Sequence, residues 1–321
     1  MTGPSTTPND ALPVEVVRTL RVASPAGGIA HLSAASGLVV IGNLAYVIAD
    51  DEHALGLFDL TSDGPGRLLT LFDGVLPGAH DARKARKADL EGLTALPALD
   101  GLPHGALLAI GSGSKPNRCR GVLLALNPDA TLSGDVRPID LTDLYAPLRG
   151  QFPELNIEGL FVAGGTLCLL QRGSQVSPAN ACIRFDLVAF GKWLAQGGDA
   201  PAPMSIDAFQ LGSIGGVPLT FTDGAALRGS PGGGWVFCAA AEDTSNSYLD
   251  GVCAGSAFGM VDSSGTLHGP LALAAPAKVE GIALDPRGAP GTVLLVTDAD
   301  NRQAPASLLR ASLVSLMPPA S

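Results

Sequence analysis

The chain has 321 residues, a formal net charge of −10, 41 glycines, 25 prolines and few aromatics. That length allows a large core in one or two domains, and the acidic balance argues against nucleic acid as a partner. No apolar run reaches the roughly 18 residues of a membrane span, and no basic start followed by an apolar run opens the chain.

Residues 1–13 read as a disordered tail, 14–315 as a single domain and 316–321 as a second tail. Glu15–Val22 alternates like a strand. Five repeats of strands then follow. The first runs Ser36–Ile41, Ala45–Ala49, Leu55–Leu60 and Arg67–Phe72. The second runs Glu91–Leu96, Gly105–Ile110, Gly121–Asn127 and Val136–Leu141. The third runs Glu158–Ala163, Thr166–Gln171, Cys182–Leu187 and Met204–Leu211, with Phe190–Gln196 as a short helical insertion. The fourth runs Asp223–Leu227, Gly234–Ala240, Ser256–Asp262 and Thr266–Leu273. The fifth, Glu280–Leu284, Thr292–Thr297 and Leu308–Ser312, lacks a fourth strand that the N-terminal strand can supply. Five cysteines without metal-ligand spacing read as reduced thiols of a cytoplasmic protein. Cys168 and Cys182, in consecutive strands, read as buried thiols.

Each repeat opens on an oxygen-bearing side chain, then Gly, then an apolar residue: Ser36-Gly37-Leu38, Glu91-Gly92-Leu93, Glu158-Gly159-Leu160, Asp223-Gly224-Ala225 and Glu280-Gly281-Ile282. The spacings are 55, 67, 65 and 57 residues. Four strands per repeat and five repeats give an all-β fold, a five-bladed β-propeller closed by the N-terminal strand, with six blades as the alternative. The Gly fits an inner strand that the next blade approaches closely. Equivalent positions of a propeller share one height, so Ser36, Glu91, Glu158, Asp223 and Glu280 converge on the axis. Four crowded carboxylates repel one another, and a cation removes the repulsion. Oxygen-only ligands on a wide ring suit Ca2+ better than Zn2+ or Mg2+. The competing reading pairs each acid with a base; Lys278 stands two residues before Glu280, where Asp89 and Asn156 precede Glu91 and Glu158.

If the motif opens the inner strand, the loops joining second to third strands lie at the ring's own end. Those loops are polar, whereas the opposite end has short turns such as Gly42-Asn43 and Gly164-Gly165. Lys115, Arg118, Arg120 and Arg172 come from adjacent blades and, with Lys87, form a candidate cluster for a phosphate or carboxylate. The run Arg83–Lys87 taken alone reads as a solvated stretch. Glu91, Glu158 and Glu242 are the candidate catalytic residues, any one able to take a proton from an attacking water.

The order Ser36, Glu91, Glu158, a short polar residue and Glu280 resembles the calcium-activated nucleotidase (apyrase) family. That resemblance implies one side chain per inner strand on a central Ca2+, with Asp223 standing where the family usually has Ser. The text around the motifs (Lys-Ala-Asp-Leu-Glu-Gly-Leu, Asn-Ile-Glu-Gly-Leu, Phe-Thr-Asp-Gly-Ala-Ala-Leu) looks closer to uncharacterised bacterial propeller proteins with a domain of unknown function. Phytase-like and gluconolactonase-like propellers also place metal at the tunnel mouth. The expected protein is a cytoplasmic monomer that hydrolyses a small phosphoester or phosphoanhydride with Ca2+. The alternatives are a lactonase or esterase at the same metal, and a binding propeller in which the metal is structural.

Overall fold

The computed structural model describes residues 5–6, 11–24, 28–174, 179–227, 233–243 and 252–316. The chain first lays down β1 (Ser5–Thr6), β2 (Glu15–Thr19), β3 (Arg21–Ala23) and β4 (Ile29–His31). Blade 1 is β5 (Ala35–Ile41), β6 (Leu44–Ala49), β7 (Ala54–Asp59) and β8 (Arg67–Thr70). A short α1 (His80–Lys84) leads to blade 2: β9 (Leu90–Leu96), β10 (Ala106–Gly111), β11 (Arg120–Leu126) and β12 (Leu132–Asp140). After α2 (Thr142–Tyr145), blade 3 comprises β13 (Ile157–Ala163), β14 (Thr166–Gln171) and β15 (Asn180–Asp186), then α3 (Leu187–Gln196) and β16 (Ser205–Phe209). The short β17 (Ser213–Ile214) precedes blade 4: β18 (Val217–Ala226), β19 (Trp235–Asp243), β20 (Val252–Val261) and β21 (Leu267–Leu273). Blade 5 is β22 (Lys278–Leu284), β23 (Thr292–Asp298) and β24 (Ser307–Ser312), and its fourth strand is β2.

The inner strands β5, β9, β13, β18 and β22 each pack against the next, and β22 packs against β5. The fold is therefore a closed five-bladed β-propeller. Strand alternation explains its core. On β6, Ala45 and Val47 face blade 5, while Tyr46 and Ile48 face blade 2. Both faces of a blade are apolar, and among the described residues one hydrophobic cluster fills each of the five gaps between neighbours. A blade alone could not bury both faces, so closing the ring is what stabilises each one.

Closure differs from the expected single strand Glu15–Val22. Only Glu15–Thr19 joins blade 5, pairing Val16 with Leu309 and Thr19 with Ser307. The chain turns at buried Leu20, and β3 pairs with β4 and touches blade 1 at Gly66. One segment thus clasps the last blade to the first. Ahead of it, the Leu12 amide donates to Ala272 O at 2.8 Å, so 11–13 already lie on blade 4. The remainder of the expected tails, 1–4, 7–10 and 317–321, falls outside the described residues, as does Asp250 in the fourth-blade loop. Among the described residues, no helix is long and apolar enough to cross a membrane. The five cysteines are free thiols, and Cys168 and Cys182 are both buried.

The motif glycines sit where neighbouring inner strands touch. A Cβ on Gly92 would stand 2.7 Å from Leu160 Cβ, and one on Gly37 would stand 3.1 Å from Leu93 Cβ. At the far end, Gly164 and Gly165 both have positive φ (55° and 79°), the conformation of a two-residue hairpin turn. Gly92→Ala is expected to destabilise the fold by about 1–3 kcal/mol through overpacking. Gly78→Ala, where a Cβ meets nothing within 4 Å, is expected to stay within about 0.5 kcal/mol. Urea melts of both variants check the pair.

Candidate functional site

Each inner strand carries a β-bulge, at its second residue in blades 1 to 3, its sixth in blade 4 and its third in blade 5. The ladder skips Ser36 in blade 1, Glu91 in blade 2, Glu158 in blade 3, Thr222 in blade 4 and Glu280 in blade 5. A bulge re-aims a side chain out of the sheet face. Here it turns Ser36, Glu91, Glu158 and Glu280 into a cavity of about 190 Å³ at one mouth of the tunnel. The loops joining second to third strands line the same cavity, through Asp50, Asp51, Arg118, Arg172, Asp298 and Arg302. The opposite mouth is lined by apolar rows that include Leu38, Leu93, Leu160 and Ile282.

Blade 4 departs from the sequence reading. Thr222, not Asp223, takes the bulged position, and Asp223 pairs opposite Cys238 where the other blades place their motif Gly. Asp223 is buried, does not line the cavity and accepts the Ile282 amide of blade 5 at 3.0 Å. Burial, with Glu280 nearby, pushes its carboxyl well above the usual range, against the pull of backbone amides. The two hydroxyl positions act alike. Ser36 Oγ donates to Leu90 O at 2.6 Å, and Thr222 Oγ1 donates to Val279 O at 2.9 Å. Each therefore ties its blade to the carbonyl just before the next blade's bulged glutamate.

Eight carboxylates and seven Lys or Arg side chains line the cavity, so the mouth is close to charge balance. Ion pairs within blades are joined by others that run across blade junctions. Lys87 reaches Asp50 Oδ2 of blade 1 and Asp89 Oδ1 at 2.9 Å. Arg118 holds Asp89 Oδ2 at 2.6 Å and Ser114 Oγ at 2.9 Å. Arg172 joins Glu158 Oε2 (3.2 Å) to Glu242 Oε2 of blade 4. Lys278 contacts Glu242 Oε1 at 3.1 Å, Glu280 Oε1 at 2.9 Å and Asp300 Oδ1 at 3.2 Å. Arg83 donates to Asp51 O at 2.7 Å and to Glu52 Oε1 at 2.8 Å. The run Arg83–Lys87 is thus no solvated stretch, because both its ends are buried. Its partners come from blade 1, which the local sequence could not reveal.

The carboxylates feel this crowding unequally. Burial raises Glu91 well above its usual value, and Glu158, Asp89 and Asp50 add to the rise. Burial lifts Glu158 to about 7; Arg172 opposes the rise, while Glu280 and Asp89 reinforce it. Glu280 is raised by burial despite Lys278 and Arg172. Burial would also raise Glu242, yet Arg172 and Lys278 outweigh it and bring the carboxyl down. Among the described residues that line the cavity, two buried carboxylate oxygens have no hydrogen-bond partner, Glu280 Oε2 and Asp51 Oδ1. The oxygens of Asp50, Asp89 and Glu91 lie within 4.8 Å of one another, close enough to share a metal ion.

Of the proposed metal ring, Ser36, Glu91, Glu158 and Glu280 reach the cavity, but only Glu91 belongs to the close trio. Asp50 and Asp89 were not in that ring. Asp89 precedes Glu91 by two, and its positive φ (55°) shows how sharply the chain turns there. Of the expected basic cluster, Lys87, Arg118 and Arg172 line the mouth. Arg120 points elsewhere, its guanidinium 4.9 Å from the Phe72 ring centroid in a groove between blades 1 and 2. Lys115 starts the short turn Pro116–Arg118 outside the cavity wall. Glu242 lies behind that wall, locked between Arg172 and Lys278.

The fold and mouth define a five-bladed β-propeller with a charged, cation-competent cavity at one tunnel end. Residues 31–313 match a family of unknown function (DUF6929), and the chain belongs to it. A search of curated proteins finds no match. Solved structures similar to the chain include a virginiamycin B lyase from Staphylococcus aureus, at 14% identity and TM-score 0.37, over 91% of this chain and 72% of that one. A luciferin-regenerating enzyme is similar at 10% identity and TM-score 0.44, over 91% and 95%. Likenesses this distant carry no argument about activity.

The raised Glu158 carboxyl sets a pH dependence. The folded state holds this proton up to about pH 7, whereas an unfolded Glu releases it near 4.3. Between those values the folded state binds more protons, so stability falls as pH rises. Glu158→Gln is expected to flatten the decline between about pH 4.5 and 7, by an amount on the order of 1–3 kcal/mol. Chemical melts across that range check it.

Proposed function

We propose that the tunnel mouth binds one divalent cation, Ca2+ by the chemistry of its donors, and hydrolyses a phosphoester or phosphoanhydride bond of a small anionic substrate. The observation that carries the cation is the Asp50, Asp89 and Glu91 trio, with oxygens within 4.8 Å of one another. The donor set fits. It is all carboxylate oxygen, the preference of a hard cation, and Glu280 Oε2 and Asp51 Oδ1 in the same cavity wall are buried without partners. When bound, the cation would polarise a phosphoryl oxygen and favour attack by water. Glu158, lifted to about 7, is suited to accept the water's proton near neutral pH. Asn156 Nδ2 donates to its Oε1 at 2.5 Å and Arg172 holds its Oε2, so the carboxylate is fixed in orientation. Lys84 and Arg302 on the cavity wall offer positive charge to the substrate.

A second reading has its own support. Arg172 and Lys278 both bridge from their blades to Glu242 of blade 4, so the charges also tie the ring together. On this reading the mouth binds without catalysis.

Calorimetry on chelator-stripped protein is expected to show one Ca2+ per chain and a higher melting temperature on binding. Glu91→Gln is expected to weaken that binding at least tenfold. With metal present, a panel of phosphoesters and nucleotides is expected to show turnover that Glu158→Gln lowers by about 10²–10⁴. Metal binding without turnover favours the second reading, and absence of binding removes both metal-based readings.

A further inference from the structure

The carboxylate trio is not an open bowl. A cation belonging to the chain already stands in it, the Lys87 ammonium, 2.9 Å from Asp89 Oδ1 and also paired with Asp50 Oδ2. We propose that Lys87 is a displaceable internal counter-ion, which competes with the divalent cation for Asp50, Asp89 and Glu91 and so sets the affinity of the site. This rests on the metal-binding reading above.

Three features support exchange rather than fixed structure. The Lys87 backbone is pinned independently of its side chain, its amide donating to Arg83 O at 2.8 Å and its carbonyl accepting from Asn117 Nδ2 at 3.0 Å. The four-carbon stem can therefore swing without moving the loop, since a Lys is a point charge on a flexible chain. Next, Asp89 keeps a second cation, Arg118 at 2.6 Å, so departure of the ammonium leaves that carboxylate compensated. Last, the cavity that the trio lines holds two further carboxylate oxygens without a hydrogen-bond partner among the described residues, Glu280 Oε2 and Asp51 Oδ1, in residues over nine-tenths buried. Those oxygens suit an ion carrying more charge and more ligands than an ammonium has.

Lys278 is the internal comparison. It is also buried among carboxylates, but it stands on β22 itself and reaches Glu242, Glu280, Asp298 and Asp300. Its removal would strip the shared partner from two blades. Lys87 and Lys278 thus divide the labour, one exchanging with metal and the other holding the ring.

The test titrates Ca2+ and Mn2+ into chelator-stripped wild-type protein, Lys87→Met and Lys278→Met, reading calorimetric affinity and melting temperature. Lys87→Met is expected to bind at least tenfold more tightly than wild type. Asp89→Asn added to it is expected to abolish that gain, and Lys278→Met is expected to melt lower with no gain. If Lys87→Met folds only with metal present, that result also supports the exchange; if it does not fold at all, Lys87→Gln is read in its place. Wild-type binding that Lys87→Met leaves equal or weaker overturns the exchange and spares the metal site. Absence of binding in wild type and in both Lys87 variants overturns the metal site itself and the exchange with it.

Discussion

Close approach of five inner strands around one axis is the constraint on which the rest of the structure depends. It requires a residue without a side chain at the contact, which Gly37, Gly92, Gly159 and Gly281 provide. The bulge just before each contact turns the preceding side chain toward the mouth. Packing and charge are thereby linked, because the register that lets blades touch also gathers Glu91, Glu158 and Glu280 in one buried place. Isolated carboxylates there would be strongly disfavoured. The counter-charges around them are a consequence of the packing, whatever else they do.

Blade 4 resolves the same constraint in another way. Asp223 occupies the position that is Gly elsewhere and sends its carboxylate to the Ile282 amide of the next inner strand. Thr222 then supplies a hydroxyl at the bulge, as Ser36 does in blade 1, and both hydroxyls bond the carbonyl before a bulged glutamate. The ring therefore combines three residues that bring charge with two that fasten the strand next to the charge.

The periodic part of this design was legible in the sequence. Strand alternation, the Gly of the motif and the missing fourth strand of the last repeat each depend on local pattern, and they located the blades and the N-terminal strand that completes the last one, though not its turn onto blade 1. The bases of the mouth were legible as well, Lys278 as a partner for Glu280 and Lys87 and Arg172 as anion-binding candidates, but the acids they share across blades escaped, because these have no period. Lys87 stands four residues before its glutamate, Lys278 two before and Arg172 fourteen after, so no repeat alignment gathers them. Aligning the fourth repeat on its Gly placed Asp223 at the axis, a one-residue slip that only the bulge register exposes. The hydroxyl before it, matching Ser36, was the available signal. Burial of Arg83 and Lys87 depended on acids from another blade, and a basic run alone gives no hint of that.

The finished mouth is not five-fold symmetric, and the asymmetry directs where a ligand can act. From blade 3 to blade 5 the chain Glu158, Arg172, Glu242, Lys278, Glu280 is continuous, each of its three inner members shared between two neighbours. Breaking one link there leaves a buried charge on either side, a loss of about 3–5 kcal/mol, so that sector behaves as scaffold. Between blades 1 and 2 the contacts hang on loops, with Asp50 half-buried, and Arg302 of blade 5 reaches across to Asp51 at 3.2 Å. Loop-borne charges are the ones that can rearrange around an incoming ion. Glu158 stands at the border, held by the rigid sector through Arg172, while burial raises its proton affinity and Glu280 and, from the looser sector, Asp89 add to the rise. A carboxylate fixed in place yet sensitive to what occupies the neighbouring sector is where binding and proton transfer can meet.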